Sequence, residues 1–171
     1  MAKASFSLRW ITRTAILLAV LIVVQLILRL IPDPVSRQII TGSLVNFILL
    51  FACIQVDVYS GVIIGLISPV LAYFVGIQGF PPIIPFIMLG NAVYVAMFAL
   101  LRGKKPNWIQ TILGFTLGAL LKFALLALAA KYLVKAPAPV AQAMSIPQLI
   151  TALIGGVLVF LVDLKKIFRR I

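Results

Sequence analysis

Lys122 is the side chain in this 171-residue chain whose type and position most invite chemistry. It lies fourteen residues into an apolar run that begins at Trp108, about 21 Å along a helix rising about 1.5 Å per residue. An ammonium at mid-bilayer costs about 2.5–3.5 kcal/mol on insertion scales, so this side chain must face protein or a wet cavity and find a partner there. Gly114, Gly118 and Lys122 are spaced by four. The lysine therefore shares a face with a small-residue stripe suited to packing against a neighbouring helix. All three acids of the chain, Asp33, Asp57 and Asp163, sit at the ends of apolar runs, not at matching depth. Three partners remain open for Lys122: the carboxylate or phosphate of a ligand, an Asn or backbone carbonyl against an uncharged lysine, or Asp33 dipping inward.

Other polar residues fall at compatible depths. Asn46 lies in the second apolar run, Asn91 and Tyr94 one turn apart in the fourth, and Gln148 and Thr151 at the start of the sixth. Together they are candidates to line one cavity on the outer side, although each of these residue types also serves as glue between membrane helices. Gln25 and Gln78 are weaker candidates.

Enzymatic chemistry finds little to work with. There is no His, and Cys53 stands alone in an apolar run, which excludes a disulfide framework and a His/Cys zinc site. No G-x-x-x-x-G-K-[ST] loop occurs, and Gly103-Lys104-Lys105 lacks both the upstream glycine and the hydroxyl, so the chain alone cannot hydrolyse ATP. No nucleophile–base pair or close pair of carboxylates is in view. Neither catalysis nor a cofactor or metal is expected.

The elements that must position these residues follow from composition. Hydrophobic side chains make up 64% of the chain and charged ones 11%, with a mean hydropathy of +1.23. A soluble fold of this size could not hide so much apolar surface, whereas a bilayer accepts it. Six continuously apolar runs suit helices of about 20 residues: residues 10–31, 38–56, 61–77, 82–101, 108–134 and 147–163, separated by Pro- and Gly-rich breaks. The expectation is an all-α integral membrane protein, one domain over residues 1–171, folded as a compact six-helix bundle. The basic start resembles a signal peptide but lacks a small-x-small cleavage site, so it reads as a retained first helix. The stretch from Lys135 to Ile146 is either a lid or a plain loop.

The net charge of +12 is mostly topology. Lys3, Arg9 and Arg13; Arg102, Lys104 and Lys105; and Lys165, Lys166, Arg169 and Arg170 flank apolar runs on one side, against Arg29, Arg37, Lys131 and Lys135 on the other. The positive-inside rule then puts both termini in the cytoplasm. No basic stripe interleaved with aromatics suggests nucleic acid as a partner.

Small residues form two further stripes. Gly61, Gly65, Ser68, Ala72 and Gly76 recur along the third run, and Ala15 and Ala19 form an A-x-x-x-A pair on the first. Both permit close helix approach, either within the bundle or, for the first helix, against another subunit.

The basic start followed by Ala15 and Ala19, the Thr41-Gly42-Ser43-Leu44-Val45-Asn46 entry to the second run and Gly61-Val62-Ile63-Ile64-Gly65-Leu66-Ile67-Ser68-Pro69 on the third resemble a known family over about residues 9–163. The chain looks like the substrate-binding S component of energy-coupling factor (ECF) vitamin transporters. The resemblance implies a multi-pass protein of a prokaryotic plasma membrane that captures a vitamin or related micronutrient outside. It would deliver it inward with a transmembrane coupling subunit and two cytoplasmic ATPases, toppling in the membrane as it does so. It implies that Ala15 and Ala19 dock the coupling subunit. It also implies an outer-half pocket that selects Phe80, Asn91, Lys122, Gln148 and Asn46, with Tyr94 beside them. Substrate identity does not follow from the fold, since pocket residues differ widely within the family; Lys122 favours an anionic ligand. The alternative is a six-helix scaffold of a cell-envelope or cell-shape complex, of the MreD-like kind.

Overall fold

The computed structural model describes residues 7–103 and 107–168, with side chains as far as residue 163. Lys3, Lys104, Lys105, Arg169 and Arg170 of the basic clusters lie outside the described residues, as do the side chains of Lys165 and Lys166. The described chain forms seven α-helices: α1 (Leu8–Leu28), α2 (Pro34–Gln55), α3 (Val58–Phe74), α4 (Ile84–Arg102), α5 (Trp108–Leu128), the short α6 (Ala138–Ala143) and α7 (Ile146–Phe168). A 3-10 turn at Pro81–Ile83 leads into α4, and a π-turn at Ala129–Leu133 extends α5. No strand occurs among the described residues.

Local chemistry marks the helix starts. Ser7, Asp33, Asp57 and Asn107 each precede a helix in extended conformation, and their side chains accept the amide three residues on, from Trp10, Ser36, Ser60 and Gln110. Each cap satisfies one of the amides that a helix start leaves without an internal partner. Pro34 stands at the first position of α2, where a missing N–H removes no helical bond.

Five segments are long and apolar enough to cross a membrane: Leu8–Leu28, Pro34–Gln55, Pro81–Arg102, Trp108–Leu133 and Ala138–Asp163. α3, with 17 residues, is apolar but shorter. The stretch before α7 is not simply a loop, because Ala138–Ala143 forms a short helix that continues toward α7.

α4 packs between α3 and α5, α7 packs on both α2 and α5, and α1 lies outside against α2 and α3. The main core gathers Leu49, Leu50, Ile64, Tyr94, Val95, Phe98 and Phe115. The glycine stripe of α5 lies against α4, where a Cβ at Gly118 would stand 3.0 Å from the Tyr94 carbonyl. α7 approaches α2 as closely: a Cβ at Gly155 would meet the Phe47 nitrogen at 2.7 Å. Large apolar side chains such as Ile16, Val20, Leu100 and Leu128 face outward, as a lipid solvent permits.

One end of the bundle is tied by polar pairs. Trp10 Nε1 donates to Asp57 Oδ2 at 2.9 Å, and Thr14 Oγ1 donates to Ser60 Oγ at 2.9 Å, joining α1 to the start of α3. Arg102, closing α4, grips the fully buried Asp163 of α7 through Nε and Nη2, both at 2.9 Å. Such a fork-to-carboxylate pair fixes both orientation and register.

Candidate functional site

At the opposite end a cavity of about 560 Å3 opens among α1, α2, α3, α4, α5 and α7. That volume suits a small organic molecule. Three features build it.

The first is the lysine. Lys122 is only 2% exposed, and its Nζ donates to Asn46 Oδ1 at 2.6 Å. The same nitrogen stands 5.6 Å from the centroid of the Tyr94 ring, within cation–π range. The Asn46 amide donates in turn to the Gly42 carbonyl at 2.8 Å and to Thr151 Oγ1 at 3.4 Å. Both amide ends are thereby used, which turns the Asn46 oxygen toward the lysine. Asp33 plays no part: its carboxylate accepts the Ser36 amide at 2.7 Å at the exposed start of α2. Hydrogen bonds from the Ser36 side chain and then its backbone hold the Asp33 carboxyl below the usual carboxylate range.

The second feature is the opposite wall, set by Pro69 inside α3. Proline has no N–H, so the carbonyl four residues earlier, that of Gly65, loses its helical donor. Asn91 of α4 supplies one, its Nδ2 donating to Gly65 O at 3.0 Å. A Cβ on Gly65 would meet Asn91 Cβ at 3.0 Å, so the small residue also lets Asn91 come this close. With its nitrogen committed to α3, Asn91 presents a buried oxygen that no protein group meets. Ser68 Oγ and Gln25 Oε1 on the same wall are likewise buried and unpaired.

The third is the rim. Arg29 Nη1 donates to the Val75 carbonyl at 3.1 Å, and Arg37 Nη1 reaches the carbonyls of Arg29 and Ile31 at 3.5 Å. Gly76, at a φ of 73°, turns the chain where Arg29 passes, and a Cβ there would stand 3.4 Å from the guanidinium. Gln38 Nε2 donates to the Ala143 carbonyl at 2.9 Å, fastening α2 to the end of α6. Arg29, Arg37 and Lys122 line the cavity, and none of its lining residues is acidic.

Of the residues singled out in the sequence, Lys122, Asn91, Asn46 and Gln148 line this space together, joined by Gln25 and Gln78. The Gln148 side chain makes a long contact from Nε2 to Met144 Sδ, 3.9 Å. Tyr94 and Phe80 do not line it. Tyr94 is fully buried behind the lysine, its hydroxyl donating to Ala152 O at 2.7 Å, and Phe80 packs in a second apolar cluster around Ile83, Leu126 and Met144. Arg29, Arg37 and Ser68 line the cavity without having been expected there from the sequence. The arginines read as topology markers, and the mid-helix Pro69 is the signal that could draw attention to Ser68 and Asn91. Ala15 and Ala19 lie on the exposed side of α1.

A family profile described as "ECF transporter, substrate-specific component" matches residues 9–163. No curated protein and no solved structure matches the chain. The profile gives no support to a cell-envelope scaffold.

Proposed function

The chain belongs to the ECF transporter substrate-specific component family, and from that premise we propose that it captures an anionic vitamin or related micronutrient at its cavity and hands it inward. The family's components bind small molecules and are not themselves catalytic; they work with a membrane coupling subunit and ATPases. The observation that carries the anionic reading is the buried Lys122, held by neutral Asn46 in a cavity whose charged lining residues are all cations. Asn46 supplies an acceptor but no charge, so a ligand carboxylate or phosphate would complete the site.

In this reading the six apolar helices all cross a prokaryotic plasma membrane with both termini in the cytoplasm, and the cavity opens outward. The ten cations named above beside one set of helix ends support that orientation. The exposed Ala15 and Ala19 on α1 form the dock for the coupling subunit, since small side chains permit close helix approach. Two cytoplasmic ATPases supply the energy that the chain's own sequence has no loop to harvest.

The test is copurification and ligand release. Tagged chain drawn from its native membrane is expected to bring the coupling subunit and ATPases with it and to release a small anion on denaturation. Lys122→Met should lower the amount of that anion bound by about tenfold or more, the worth of one charge-assisted hydrogen bond. A purified chain that arrives with cell-wall synthesis proteins and no ATPase would sink the proposal.

A further inference from the structure

Buried polar atoms in folded proteins are nearly always hydrogen-bonded, because leaving one unpaired forfeits its hydration for nothing. Among the described residues three buried side-chain atoms have no partner: Gln25 Oε1, Ser68 Oγ and Asn91 Oδ1. All three belong to residues lining one cavity, and all three come from its α1, α3 and α4 wall. Their residues are 6%, 1% and 1% exposed.

Their chemistry is specific. An amide oxygen can only accept. Asn91 cannot turn its nitrogen to the cavity without placing its oxygen against the Gly65 carbonyl, which Pro69 has left in need of a donor. That wall therefore asks for N–H or O–H groups. Across the cavity Lys122 asks for the opposite, an acceptor, with one of its three hydrogens already given to Asn46. A ligand that is only an anion leaves Asn91 and Gln25 unmet, and one that brings a cationic donor meets Arg29, Arg37 and Lys122 with no acid among the lining residues.

We infer that the ligand is an acid that also carries a neutral hydrogen-bond donor, a hydroxyl or an amide N–H, with the acid group at Lys122 and the donor read by Asn91, Ser68 and Gln25. This rests on the reading of the chain as a substrate-binding component and deepens it. The donor wall selects among acids that the lysine alone would accept equally, because a site built to pair a polar group rejects the analogue that lacks it.

Ser68→Ala and Gln25→Met test it, since each removes an unpaired group and breaks no hydrogen bond of the empty protein. Wild type and both variants, as full chains purified from cells grown in rich medium, are denatured, and the released molecules are identified by mass spectrometry in both ion modes with deuterium exchange. The expected molecule is an acid with exchangeable hydrogen beyond the acidic one. Its recovery per mole of protein should fall by about tenfold in each variant, while the emptied variants unfold at or above the temperature of the wild type stripped of its ligand. A released cation, an acid with no further exchangeable hydrogen, or undiminished wild-type recovery from both variants overturns the inference; the last two leave the proposed anion capture standing. A wild-type chain that releases nothing overturns the inference, and one that also arrives without ATPases removes both.

Discussion

Asn91 of α4 gives its side-chain N–H to the carbonyl of Gly65 in α3 at 3.0 Å, the carbonyl that Pro69 leaves without a helical donor. A helix defect is thus repaired by a neighbouring helix, and the repair orients a cavity side chain. Asn91→Leu should destabilise the protein by about 1–3 kcal/mol, because a buried carbonyl is left unpaired. In a Pro69→Ala background the backbone N–H restored at that position can serve Gly65, so the same substitution should cost distinctly less. Thermal or denaturant unfolding of the wild type, the two single variants and the double variant gives the coupling; additive costs would disconnect Pro69 from Asn91.

Arg102 and Asp163 should respond unequally to mutation. The carboxylate is fully buried, whereas the arginine side chain keeps 17% of its surface exposed. Arg102→Met strands a buried charge and is expected to cost about 3–5 kcal/mol. Asp163→Asn leaves a guanidinium with some access to solvent and should cost less. Unfolding measured for both variants checks the order, and a reversed order would mean that the carboxylate has another source of compensation.

On α1, Ala15→Trp and Ala19→Trp should leave folding and ligand binding intact, because both positions face outward and neither touches the cavity. Assembly with the coupling subunit is expected to fail in both, an indole being far too large for a close helix crossing. Copurification of the ATPases is the readout, and normal assembly in both variants would move the dock elsewhere.

Acid should loosen the start of α2. Hydrogen bonds from Ser36 hold the Asp33 carboxyl below its usual range, so the folded protein binds this proton less readily than the unfolded chain does. The cap's contribution is therefore complete above the ordinary carboxylate pKa, about 4, and is lost as the pH falls through and below it. Asp33→Asn keeps the acceptor without the titration. Its unfolding temperature should fall less between pH 5 and pH 3, taken as about the span of the carboxylate range, than that of the wild type; identical slopes would show that other groups carry the acid response.

Much of the fold is legible in the sequence because a bilayer demands long apolar runs whose backbone bonds close internally, and only helices of sufficient length meet that demand here. Asp33 and Asp57 are legible as ends of those runs, and the structure makes them helix caps. Which face of each helix points inward is not. Leu49 and Leu50 are fully buried while Leu26 and Ile27 are exposed, yet all four are aliphatic. In water such a difference would show as a polar face; in lipid both faces are apolar and the periodicity carries little information. Tyr94 stands among the expected cavity residues for that reason and Phe80 because the family resemblance selects it, and the structure packs both away from the cavity.

By itself, then, the sequence determined that these apolar runs form membrane helices, to within about a turn where the runs start, and that Lys122 stands at a depth lipid cannot explain. Only the tertiary structure decided that Asn46 and not Asp33 meets the lysine, and that Asn91, Ser68 and Gln25 converge on one wall with unpaired atoms. The reason is lateral: depth along a helix is counted in residues, whereas the rotation of one helix against the next is decided by where glycines such as Gly65 and Gly118 let backbones meet.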